Sequence, residues 1–125
     1  MIQLLFLYLG AVLTSIWGIA HLFPTKSVAD GFGEITLDNR RIIMMEWIVE
    51  GIALIFIGLL VAMVTFIDPV SSVSKAVYGL SIIELVALAI VSAFTGYKID
   101  FIPFKLCPFI FTGSAALIFI GTFPL

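Results

Sequence analysis

Three carboxylates, Glu46, Glu50 and Glu84, lie inside long apolar stretches of this chain. A charged side chain at mid-membrane costs at least ~2.5–3.5 kcal/mol on insertion scales, so such acids are rarely idle. No Lys or Arg lies deep in the same stretches to neutralise them. Glu46 and Glu50 are four residues apart and share one helix face, as do Trp17 and His21 in an earlier stretch. Gly10, Thr14, Trp17, Gly18 and His21 together make a small-or-polar stripe, and Cys107 and Ser114, seven apart on the last apolar stretch, could line the same half of a pocket. A protonated carboxyl beside a histidine suits proton relay or general acid–base work. The same groups suit a cation, one imidazole with two or three carboxylates being able to ligate a transition metal. They also suit the amine or hydroxyl of a lipophilic ligand. We assign no metal site, cofactor or catalytic residue from these types alone.

The elements that position these groups follow from composition. The chain has 125 residues, enough for one domain. Apolar residues make up 62% and charged residues 11%, and mean hydropathy is +1.28. Soluble domains carry about 25% charged residues, and a domain this small leaves much of its surface exposed, so the solvent must be lipid. Six Lys and Arg against eight Asp and Glu, with no basic tract, exclude a nucleic-acid partner. The single cysteine excludes an intrachain disulfide, a CxxC pair and a cysteine zinc site.

A membrane helix needs ~20 mostly apolar residues. Four stretches qualify: about Ile2 to His21, ended by Pro24; Ile42 to Ile67, ended by Asp68-Pro69; Ala76 to Thr95, ended by Gly96; and Phe104 to Phe123, before Pro124. The expected fold is therefore all-α, one four-helix transmembrane bundle. The first stretch lacks a basic leader and is longer than a signal-peptide core, so it reads as a retained helix. Between Ser27 and Ile35, apolar Val28, Phe32 and Ile35 mix with Asp30 and Glu34, which predicts a short interfacial helix broken at Gly31 or Gly33. Asp38 or Asn39 can N-cap the second long helix and Ser71 or Ser72 the third.

Lys26, Arg40, Arg41, Lys98 and Lys105 flank the first and third connections, and only Lys75 flanks the second. That bias places the first and third connections in the cytoplasm and both termini outside, in a cell inner membrane. Counted from these helix ends, Glu50 is ~12 Å deep and Glu84 ~16 Å deep from the same side. Sequence depth thus predicts a pocket with Glu50 and Glu84 as its floor. His21 and Glu46, with Tyr97, Lys105 and Cys107, form its mouth, and Trp17 and Trp47 are walls or interface anchors. The plainer readings are an interfacial acid for Glu46, carboxyl-mediated helix packing for Glu50 and Glu84, and a helix-end histidine for His21.

Four helices in this length, Gly18-x-x-His21 at a helix end, Phe23-Pro24 opening a long first connection, and an acid-bearing second helix resemble the DoxX-like small membrane proteins. That resemblance spans the chain and implies an inner-membrane bundle linked to quinone-related or thiosulfate oxidation, or an accessory subunit. The shape is also similar to sterol-isomerase-like membrane proteins, a likeness that implies ligand-facing roles for Glu50 and Glu84. Small multidrug transporters carry their essential glutamate in the first helix, where this chain has none. The leading expectation is a non-enzymatic pocket of Glu50, Glu84, His21, Glu46 and Trp17 for a proton, cation or lipophilic small molecule, in a protomer suited to dimerisation. The alternatives are an enzyme doing acid–base chemistry on a lipid or quinone, and an accessory subunit of a membrane complex.

Overall fold

The computed structural model describes residues 1–123. Its helices are α1 (Ile2–Leu22), α2 (Thr25–Asp30), α3 (Leu37–Ile67), α4 (Ser72–Phe94) and α5 (Ile102–Thr122), with a 3₁₀ turn at Gly96–Lys98 before α5. No strand occurs among the described residues. Four of these helices are long and apolar enough to cross a membrane, the third counted together with its 3₁₀ turn. The expected all-α bundle, with a short helix in its first connection, is what the chain forms.

Local chemistry sets the breaks. Pro24 ends the first span and N-caps α2, its carbonyl accepting from the Val28 N–H at 2.9 Å. α2 buries Thr25, Val28 and Ala29 and stops at Gly31. Gly33 then takes a φ of +71°, a conformation open to glycine and strained for other residues. The Arg40 guanidinium pairs with Asp30 and ties α2 to α3.

α3 starts five residues before the expected Ile42. Its cap is Thr36, whose Oγ1 accepts from the Asn39 N–H at 3.2 Å, rather than Asp38 or Asn39. The polar run Asp38–Arg41 is helical because the capped turn satisfies its own backbone whether or not lipid surrounds it. At 31 residues α3 is ~46 Å long, well over the ~30 Å of hydrocarbon, so its first turns project beyond the apolar layer. Ser71 caps α4 as expected, accepting from the Ser74 N–H at 3.1 Å.

α1 and α5 form the centre, with α3 laid along α1 and α4 along α5. In lipid no hydrophobic force drives helices together, so close approach rests on small residues and polar contacts. Gly18 of α1 meets Gly51 of α3 with no room between them: a Cβ on Gly18 would be 2.7 Å from the Gly51 carbonyl oxygen. Leu7, Leu54, Tyr78, Leu85, Phe111 and Ile118 fill the interior. Among adjacent long helices the contact of α3 with α4 is the slightest. It is pinned near their shared turn, where Thr65 Oγ1 donates to the Val61 carbonyl and accepts from the Tyr78 hydroxyl at 2.9 Å. Beyond that pin a cavity lies between Glu50 of α3 and Leu88 and Ser92 of α4.

Candidate functional site

The last turn of α1 presents His21 to α3. Its carbonyl is one of the last four in the helix, which have no intrahelical partner. Trp47 Nε1 donates to that oxygen at 2.5 Å. The Trp47 indole also stacks on the imidazole, ring centroids 3.8 Å apart and planes within 15°. Phe104 meets the same indole edge-on at 5.2 Å. One tryptophan thus fixes both the backbone and the ring of His21.

Held this way, His21 Nε2 stands 3.2 Å from Glu50 Oε2. The two side chains differ sharply in access, at 3% and 39% exposed. The distance suits a hydrogen bond but the angle does not: Nε2 is buried and without a partner among the described residues. So is Trp17 Nε1, although the Cys107 thiol lies beside that indole. The pair therefore joins a hidden imidazole to an accessible carboxylate.

Glu50 opens onto two cavities. One, of about 290 Å³, has Glu50 on its α3 side, Leu88 and Ser92 on α4, and His21, Cys107 and Phe111 behind. Val91, Thr95 and Gly96 continue its α4 wall. It lies between α3 and α4. The other, of about 420 Å³, runs under α2 between Val28, Phe32, Ile43, Glu46, Trp47 and Phe104. Glu50 and Phe104 border both. The walls are mainly aliphatic and aromatic, so an acceptor, Glu50, faces apolar space.

The structure brings together four of the expected groups: His21, Glu50, Trp47 and Cys107. Trp17 stands behind them, against Cys107. Glu46 is exposed and borders only the cavity under α2. Tyr97 and Lys105 do not line the Glu50–His21 cavity; Lys105 Nζ donates to Asp100 Oδ1 at 3.1 Å, and Tyr97 packs edge-on near Phe109. Ser114 is buried but lies further along α5, outside the cavity.

Glu84 corrects the expected floor. The Thr65–Tyr78 bond sets the antiparallel register of α3 and α4, in which Glu50 lies across from Ser92 and Ala93 and Glu84 lies across from Leu59. That is nine residues, or ~13 Å, from Glu50 along the axis. Glu84 is also exposed and borders neither cavity. Depth counted from the apolar ends misplaced it because α3 is helical well outside the apolar layer. Nor do three His, Cys, Asp or Glu side chains gather to hold a metal among the described residues.

Sequence reasoning missed Ser92, Thr95, Phe104 and Phe111 as lining residues. Only helix-pair register could have found them. No family model, curated protein or solved structure matches this chain.

Proposed function

We propose that this small integral membrane protein binds a lipophilic molecule whose head is an amine. The head sits on Glu50 and the apolar body lies between α3 and α4. One observation carries the reading: a half-exposed carboxylate, with a buried imidazole behind it and Glu46 on the rim of one of its two cavities, faces largely apolar space within a span. An acceptor so placed gains most from a donor or cation that brings its own hydrocarbon, because the competing solvent is poor in both. Trp47, Phe104 and Phe111 add ring faces and edges around a cationic head. The basic-residue bias supports a cytoplasmic side for this end of the bundle and an inner-membrane setting. The likeness in layout to DoxX-like proteins supports the same setting.

The test uses chain-brominated dodecylamine as a quencher of Trp47 in a Trp17→Phe background. Saturable quenching that weakens at least about tenfold in Glu50→Gln, and that brominated dodecanol does not reproduce, is expected. Equal quenching in Glu50→Gln, or equal quenching by the alcohol, refutes the reading.

A further inference from the structure

Glu84 has no part in that site, and its position is hard to sustain in a lone protomer. It lies midway along α4, ~15–18 Å from either end at helical rise, on an exposed part of the helix. Among the described residues its carboxyl makes no ion pair or hydrogen bond. Intramembrane acids nearly always face a protein interior, a water-filled cavity or a polar partner.

The residues around it form a pattern of their own. Val77, Leu80, Glu84, Ala87, Val91 and Phe94 follow one another at alternating steps of three and four, the spacing of a helix–helix seam, with Val91 also at the edge of the Glu50–His21 cavity. The packing face of α4 within the chain is a different one, built on Ser74, Tyr78, Ser81, Leu85 and Ala89. In the seam, Leu80 is 67% exposed and Phe94 72%. α4 is also the least enclosed span: 22% of an apolar 18-residue stretch of it is buried, against 39% for α5.

We propose that α4 pairs along this seam with α4 of a second copy, about a two-fold axis normal to the membrane, and that the two Glu84 carboxyls hydrogen-bond to each other. A neutral carboxyl carries one O–H donor and one carbonyl acceptor, so two of them satisfy each other fully. A two-fold contact must be self-complementary, and a residue on the axis meets its own copy. Lipid head groups do not reach mid-bilayer, and this chain has no Lys or Arg at that depth. Ala87, one turn from Glu84, keeps the seam narrow enough for the carboxyls to meet.

The experiment is done in phosphatidylcholine bilayers in a Cys107→Ser background, with subunit counting and copper-phenanthroline cross-linking. The wild type is expected to be dimeric. Ala87→Cys is expected to cross-link at least about tenfold more than Val86→Cys, which lies ~100° round the helix. Glu84→Leu should weaken dimerisation about tenfold, whereas Glu84→Gln, whose amide also donates and accepts, should retain it. Helix content by circular dichroism checks that Glu84→Leu folds; if it does not, Ala87→Phe, which spreads the seam without touching the carboxyl, should give the same loss. A monomeric wild type overturns the proposal. So does equal cross-linking at positions 86 and 87, or undiminished dimerisation in both Glu84→Leu and Ala87→Phe. Ligand quenching through Glu50 is read separately, so either proposal can fail without the other.

Discussion

Replacing Gly18 with alanine puts a methyl carbon 2.7 Å from the Gly51 carbonyl oxygen, 2.8 Å from the Ile55 nitrogen and 2.9 Å from Ile55 Cγ1. The first two are backbone atoms of α3, which no rotamer change can move. Ordinary contact begins at 3.4 Å, so α1 and α3 must separate by about 0.7 Å at this level. Overpacking of this kind costs ~1–3 kcal/mol. His21 is less than one turn away, so the same movement lengthens its 3.2 Å approach to Glu50 and loosens the Trp47 bond to its carbonyl. Gly79→Ala is the matched control. Its methyl meets nothing within 4 Å, and the helix gains ~0.5–1 kcal/mol of propensity. Reversible unfolding by sodium dodecyl sulfate in mixed micelles, followed by helical circular dichroism and tryptophan emission, compares the two. The expected outcome is loss of stability and altered emission for Gly18→Ala, and unchanged or raised stability for Gly79→Ala. If both substitutions destabilise equally, or if Gly18→Ala leaves stability and emission untouched, the close crossing of α1 and α3 is wrong.

Trp47→Phe keeps a ring for the stack on His21 but removes the Nε1–H that reaches the His21 carbonyl. It should cost ~1–3 kcal/mol in the same titration and shift the imidazole resonances in nuclear magnetic resonance spectra; an unchanged imidazole would show that the indole does not hold the ring. Thr65→Val keeps shape but removes the partner of the Tyr78 hydroxyl. The loss should be ~0.6–1.7 kcal/mol. Spin labels at Met45→Cys and Phe94→Cys should then show a broader distance distribution across the open end of α3 and α4, and an unaltered one would mean that this bond does not set their spacing.

The four spans were legible because prolines, glycines and charges punctuate apolar runs of the right length. The short helix after Pro24 and the Ser71 cap were legible for the same reason, turn and cap chemistry being local. The start of α3 was not, since a polar run can be helical outside lipid and hydropathy is blind to it. The site was half legible. His21, Trp47 and Glu50 each stood out by type and depth. Their meeting depends on the register of α1 against α3, set by Gly18, Gly51 and neighbouring small residues whose contact partners cannot be read from spacing along one helix. Glu84 failed for the same reason: its depth was read along one helix, while the Thr65–Tyr78 contact that fixes its level lies between two.

The cavity between α3 and α4 has a practical outcome for anything that visits Glu50. A guest arriving through that gap comes from the surrounding leaflet by two-dimensional diffusion. Its supply is then set by how strongly it partitions into hydrocarbon, and compounds of equal intrinsic fit would rank by oiliness if titrated per volume of buffer. Titrated per mole of lipid, they would rank by how well their head groups satisfy a single carboxylate.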